Sequence, residues 1–170
     1  QNGFSETGFF NEVVHYRRNF VESVHSIRRQ SEGVYALLHF LNYERLQGRK
    51  HPEWEKRIKS MLDMFLRLQN KDGSFPRKFK DDFSIVDKSG GSTPSATLPL
   101  VMGYKYFKDK RYLASAKHTV EYLEKELISK SYYFSSTLDA NCEDKEASLY
   151  ASTAAYYLAL ATKGAERAHY

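Results

Sequence analysis

An all-α fold of about six helices, laid down as three successive hairpins, is what the sequence predicts. Three observations predict it. Apolar residues recur at a 3–4 spacing over most of the chain. Helices with one charged face alternate with helices that are apolar nearly all round. No stretch alternates apolar and polar residues long enough to read as a confident strand, residues 132–134 being at most a short one.

Each element follows from its residues. Phe10, Val13, Val14, Arg17, Phe20, Val21, Val24 and Ile27 keep the helical spacing and predict an amphipathic first helix over roughly 6–28. Ser31 offers an N-cap for a second helix, 32–47, whose Val34, Tyr35, Leu37, Leu38, Phe40 and Leu41 leave almost no polar face. Pro52 suits the first position of a third helix. That helix carries Trp54, Ile58, Met61, Leu62, Phe65 and Leu68 on one side, Lys56, Arg57, Asp63 and Arg67 on the other, and ends near Asn70. Residues 71–92 hold Asp72-Gly73-Ser74, Pro76 and Gly90-Gly91-Ser92; an irregular stretch of that length in a compact domain is uncommon and often functional. Thr93-Pro94 opens a fourth helix, about 94–108, which Pro99 is expected to kink. Asp109 caps a fifth, about 110–129, striped by Leu113, Ala116, Val120, Leu123 and Leu127. After a second irregular stretch, 131–141, a sixth helix spans about 144–162 in small and apolar residues.

The first, third and fifth helices are one-sided; the second, fourth and sixth are greasy on most sides. This is a helical-hairpin repeat of about 50–60 residues. Apolar helices inside and one-sided helices outside describe an α/α toroid, incomplete because three hairpins make half a ring of six; a helical solenoid is the alternative. The arrangement predicts that 71–92 and 131–141 emerge on one face, beside the N-termini of the inner helices. The chain reads as a single domain, 1–170, and, opening at Gln1 without Met, as part of a longer protein.

Gln69-Asn70-Lys71-Asp72-Gly73-Ser74-Phe75 resembles the Q-x-x-D-G-S-W/F motif at outer-helix ends of α/α-toroid proteins. Terpenoid cyclases carry it as a structural motif, and toroidal, six-hairpin glycosidase-like enzymes have similar turns. The D-x-D-D motif of squalene-type cyclases is absent, which sets terpene chemistry aside. Residues 92–100 (STPSATLPL) and 137–147 (TLDANCEDKEA) look like the helical toroids appended to large carbohydrate-active proteins. The resemblance implies a glycan-processing or glycan-binding domain, glycoside hydrolase-like if catalytic. Its implied partners are carbohydrate and a neighbouring domain of the same longer protein, for which a periplasmic or secreted location would fit. A non-catalytic helical-repeat scaffold or protein-interaction module is the alternative. In the resemblance, Gln69 and the turn fasten an outer helix end to its neighbour.

Bulk properties narrow the classes. Hydrophobic residues make up 41% and charged residues 28%, the balance of a folded domain with a real core. No apolar run reaches membrane-spanning length, and residues 1–30 lack a signal-peptide pattern. The net charge of +5 could draw nucleic acid, but the bases are interspersed with acids, as in EWEKRIK, and read as solvated outer faces. One cysteine, Cys142, excludes an intrachain disulfide framework, and the six histidines form no metal-binding spacing. Neither metal nor cofactor is implied. Aromatic content is high, with 13 Tyr and 11 Phe, which suits a cleft for sugars once the core is filled.

Glycoside cleavage needs two carboxyl groups about 5–5.5 Å apart for retention or about 6.5–9.5 Å for inversion. Asp139, Asp144 and Glu146, in and after the second irregular stretch, are the candidate acid–base residues. Glu143 lies among them. Asp144 can equally cap the amides of the inner helix that follows. Tyr132, Tyr133 and Phe134 are candidate stacking platforms. Arg77 could hold a uronate or sulfate. Asp72 is either the rim of a site or, with Gly73, a residue bonding the amides of its own turn. Asp81 and Asp82 read as a solvated loop pair.

Overall fold

The computed structural model describes residues 3–15, 17, 20–21, 23–89, 92–132, 145–164 and 170. Among them are five α-helices: α1 (Ile27–Leu46), α2 (Pro52–Leu68), α3 (Thr93–Phe107), α4 (Lys110–Glu126) and α5 (Lys145–Ala161). Five short strands accompany them: β1 (Val14–His15), β2 (Phe20–Val21), β3 (Val24–Ser26), β4 (Lys78–Lys80) and β5 (Ile85–Asp87).

The expected first helix is replaced by strands. β1 pairs with β2, and β3 joins β4 and β5 in an antiparallel sheet in which His25 faces Phe79. Residues 6–26 contain neither Ala nor Leu but four valines, Val13, Val14, Val21 and Val24. β-branched side chains are stiff against a helical turn and fit a pleated one. The spacing was shared by both structures, and composition decides between them. The stretch 71–92, expected to be irregular, holds the β4–β5 hairpin. Its tip is a turn in which Phe83 adopts a φ of 68°.

The N-terminal segment also moves the start of α1. Ser26 is the N-cap, its hydroxyl accepting from the Arg29 amide at 3.3 Å, while Glu12 receives the Ser26 amide. Ser31, the expected cap, therefore sits inside the helix. Buried Gln30 holds the segment down as a strand would, its amide bonding both the N–H and the C=O of Phe10 at 2.8 and 2.9 Å. Phe10 lies over Gly33, where an added Cβ would come within 2.5 Å of the ring.

α1, α3 and α5 form an inner layer, with α3 packed along both of its neighbours. Cross-helix pairs give their direction. Arg28 meets Glu146, Glu32 meets Tyr150, and Tyr35 meets Tyr157, so α1 and α5 run parallel and in register. α2 and α4 run the opposite way outside. α2 starts beside Glu44 of α1 through His51, and its end leads to Phe75 and Arg77. Phe75 bonds the Thr93 hydroxyl, and the Arg77 carbonyl receives the Ile27 amide. The end of α4 packs near Pro94 and Ala147. Both extended crossings, as far as they are described, emerge at the N-terminal end of the inner layer, as the repeat predicted.

The core joins the layers through Val34, Leu38 and Leu41 of α1, Ile58, Leu62 and Phe65 of α2, Leu100 and Val101 of α3, and Tyr112 and Ala116 of α4. Each Val, Leu, Ile or Phe side chain among them contributes about 1.5–3 kcal/mol by burial. α3 is buried from Thr93 to Val101. α1 and α5 differ from the all-round burial expected of them. Phe40 and Tyr43 on α1, and Leu149, Tyr156 and Leu160 on α5, are exposed. The two are the terminal inner helices of an arc, so among the described residues each keeps a flank that no further inner helix covers.

The far end of α1 is fastened by Glu44, which accepts from Arg49 Nε at 2.7 Å and pairs with His51 at 2.9 Å. The Arg49 and His51 bonds hold its carboxyl down at about 2, against the desolvation that opposes them. A depressed carboxylate pKa adds stability above the ordinary value of about 4.3 and loses it as pH falls toward about 2. Glu44→Gln should thus be less stable than the parent at pH 7 by urea unfolding, and the gap should narrow at pH 3. A gap of the same size at both pH values would count against the cluster.

Candidate functional site

The parallel register of α1 and α5 brings their first turns together at the mouth of the arc. Arg28 is the hub. Its Nη2 contacts Glu146 Oε2 at 2.6 Å and its Nε donates to Glu32 Oε1 at 2.9 Å. Tyr150 donates its hydroxyl to the same Glu32 oxygen, and the Arg28 guanidinium lies 5.9 Å from the Tyr150 ring centre. One turn deeper, Tyr35 Oη donates to Tyr157 Oη at 3.2 Å and bridges α1 to α5.

The electrostatics follow from these contacts. Burial works to lower the Arg28 pKa, but the Glu32 bond and the surrounding negative charge outweigh it and raise it. Burial, aided by the Glu32 bond, pushes the Tyr150 hydroxyl up to about 12. Burial and the Tyr157 bond do the same for Tyr35, also to about 12. Both phenols stay protonated and serve as donors.

Two cavities flank the tyrosine bridge. The one on the mouth side has a volume of about 170 Å³ and is lined by Ser31, Glu32, Tyr35, Ser95, Leu98 and Tyr150. The other, about 320 Å³, lies toward the helix C-termini, with Leu38, His39, Asn42, Met102, Lys105 and Tyr157 in its wall. His39 is exposed there, with its ring edge-on to Tyr35. No group of three or more His, Cys, Asp or Glu that could hold a metal occurs among the described residues.

Of the residues singled out from sequence, Glu146 stands at this mouth, paired with Arg28. Asp139, Asp144, Tyr133 and Phe134, with Glu143 and Cys142, lie outside the described residues. Tyr132 is exposed and borders a small groove with Pro94, Leu127 and Ala147. Arg77 is buried between the strands and the inner helix ends. Its Nη1 lies 3.7 Å from Asp87 Oδ2, and its Nε and Nη2 have no hydrogen-bond partner among the described residues. Asp72 is turned into its own loop, with Oδ1 accepting from the Ser74 amide at 3.0 Å and the Ser74 hydroxyl at 2.6 Å. The Ser74 hydroxyl lowers its pKa. That loop lies against α4, in the outer layer. Asp81, expected to be solvated, instead accepts from Thr7 and pairs with buried His25 at 2.9 Å. Asp82 is exposed, as expected, and accepts from the amide and hydroxyl of Ser84 in its own turn.

Sequence reasoning missed Arg28, Glu32, Ser31, Ser95, Tyr150 and Tyr157. One signal was present. Arg28 and Glu32 are an i, i+4 ion pair just ahead of a stretch, 33–43, that holds no Asp, Glu, Lys or Arg.

No protein-family model matches the chain. Among solved structures, 99% of the chain superposes on 48% of the unsaturated glucuronyl hydrolase from Bacillus sp. GL1, an enzyme responsible for the degradation of glycosaminoglycan. The TM-score is 0.70 and the identity 12%. D-mannose isomerase matches over 98% of this chain and 48% of its own, with a TM-score of 0.66 and 15% identity. Both are α/α toroids of the six-hairpin glycosidase-like kind. The chain spans about half the length of these structures, and the likeness shows its fold: an incomplete α/α toroid.

Proposed function

We propose that this chain is the sugar-binding arc of a glycan-processing α/α toroid, with the ligand seated at the mouth where α1, α3 and α5 begin. The observation that carries the reading is the cluster of Arg28, Glu32, Glu146 and Tyr150 over a cavity, at the end where both long crossings emerge. The two structural neighbours, both carbohydrate-active by name, support it.

The chemistry divides the candidate acids. A glycosidase proton donor must stay protonated near neutral pH, which takes a raised pKa. Glu32 and Glu146 are both engaged by Arg28, at 2.9 and 2.6 Å, and so are committed to an ion pair. Glu146 is therefore assigned to positioning. The proton donor falls to Asp139 or Asp144, just ahead of α5 in sequence. Tyr132, Tyr133 and Phe134 remain the proposed stacking groups, whereas Asp72 and Arg77 are assigned to holding the fold.

A glycan array followed by turnover of the sugars that bind tests this. Arg28→Met should weaken binding about tenfold, since it releases both carboxylates. Asp144→Asn, if Asp144 is the donor, should lower turnover by about 10²–10⁴ with binding retained; unchanged turnover removes it from the assignment. If no sugar binds, the second reading stands, a non-catalytic scaffold. That reading is favoured by the exposed apolar flanks at Phe40 and Tyr43 and at Leu149, Tyr156 and Leu160.

A further inference from the structure

We propose that the cavity toward the C-terminal ends of the inner helices is a binding site for a small phosphate ester whose body is about the size of one sugar ring. The charge argument stands apart from the glycan reading above; only the choice of a sugar as the body rests on it.

The first observation is what the cavity offers. Lys105 of α3 lines it, and so do His39 and Asn42 of α1. None of the three is sealed off: His39 is exposed, and Asn42 and Lys105 are half-buried. Aromatic contact places the Lys105 ammonium, whose Nζ lies 5.6 Å from the centre of the Tyr157 ring, part of the same wall. Among the described residues no acid pairs with it, so its N–H donors remain to be used. Asn42 Oδ1 accepts from Arg45 Nη2 at 3.1 Å, which leaves the Asn42 amide N–H groups to give. The His39 ring meets Tyr35 edge-on and makes no recorded hydrogen bond, so a ring N–H is left as well.

The second observation is the charge around these donors. Among the described residues of the lining there is no Asp or Glu. Glu55 bonds the Tyr106 hydroxyl at 2.5 Å but does not line the cavity, and the Arg45 guanidinium lies 4.2 Å from the Tyr106 ring centre. A wall rich in donors, carrying a lysine and no acid, complements an anion.

The kind of cation narrows the anion. A carboxylate is planar and best met by the fork of an arginine, whereas lysine binds phosphate as a point charge. The described lining holds a lysine and no arginine. Its donors come from two helices, which suits the several oxygens of a tetrahedral phosphate. The volume of about 320 Å³ stands at the lower end of the 300–1,000 Å³ or so of small-molecule pockets and leaves room for one ring beside the phosphate. Leu38, Met102 and Tyr106 give that ring an apolar surface.

Calorimetric titration of the whole chain at low salt with D-glucose 6-phosphate, D-gluconate and D-glucose tests this, with thermal unfolding run in parallel to show that each variant is folded. The phosphate ester should bind at least tenfold more tightly than gluconate, and glucose should bind least. Lys105→Met should raise the Kd of the ester about ten- to hundredfold, Lys105→Arg should recover part of the loss, and Met102→Trp should block the cavity. Lys71→Met removes an exposed lysine from the loop after α2 and should leave the Kd unchanged. Equal weakening by Lys105→Met and Lys71→Met would mean diffuse attraction to a chain of net charge +5 and overturns the site. Gluconate bound as tightly as the ester overturns the choice of phosphate, and inorganic phosphate bound as tightly overturns the sugar body. No binding of the ester at all removes the proposal and leaves the glycan reading to be decided by the array.

Discussion

Replacing Gly73 with alanine should destabilise the protein by about 3 kcal/mol and lower its melting temperature by roughly 6–12 °C. Two costs add there. Gly73 has a φ of +94°, where a side chain is strained, and an added Cβ would stand 2.3 Å from the carbonyl oxygen of His118. That oxygen belongs to the backbone of α4 and cannot rotate aside, so the turn or the helix must shift. Gly48 is the control. Its φ is +75° but nothing lies within 4 Å of the added carbon, so Gly48→Ala should cost only the backbone share, about 1 kcal/mol. Similar melting temperatures for the two variants would show that the contact with α4 is dispensable.

Gln69 should matter nearly as much. Its Nε2 donates to Gly73 O, Ser115 O and Thr119 Oγ1 at 3.2, 3.0 and 2.9 Å, and its Oε1 accepts from Ser115 Oγ at 2.7 Å. Gln69→Ala should cost about 2–3 kcal/mol by leaving those groups without a partner. Gln69→Glu is the sharper test. At neutral pH a carboxylate would face three acceptors, so its folded pKa must rise above the unfolded value of about 4.3. A raised folded pKa means stability that is full below about pH 4.3 and lost as pH climbs. The Glu variant should then be the less stable of the two at pH 7 and recover relative to Gln69→Ala near pH 4. Unfolding curves that keep the same order at both values would contradict the donor role.

These two residues also show what was legible beforehand. The heptapeptide from Gln69 to Phe75 gave the fastening of α2 to α4 in advance, because its chemistry is local and then reaches one neighbour. α2 and α4 were readable from their one-sided stripes, and the inner helices from being greasy on most sides. The segment before α1 was not. Its valines and phenylalanines satisfy a helical spacing by count; their β-branched composition leans toward strands, and pairing with Phe79 and with Gln30 fixes them there. The β4–β5 hairpin escaped for a related reason, since three-residue strands around a turn without glycine carry little periodic signal. The mouth was hardest. Arg28 and Glu146 are neighbours only because α1 and α5 share a register across a sequence separation of 118, as Glu32 and Tyr150 show. Ser31 was misread as a cap, a duty that Ser26 performs one turn earlier.

The common direction of the three inner helices has an electrical outcome. Each carries a macrodipole worth about half an elementary charge at its tip. The three tips of one sign gather at the mouth, and only α2 and α4 run against them. Glu12, Glu32 and Glu146 sit where that positive potential accumulates and act as its resident counter-ions. Ionic strength is therefore a handle on this molecule. At 1 M salt the screening length shrinks to about 3 Å. The half-exposed Arg28–Glu146 link between the first and last inner helices then loosens before the aromatic packing at the opposite end does.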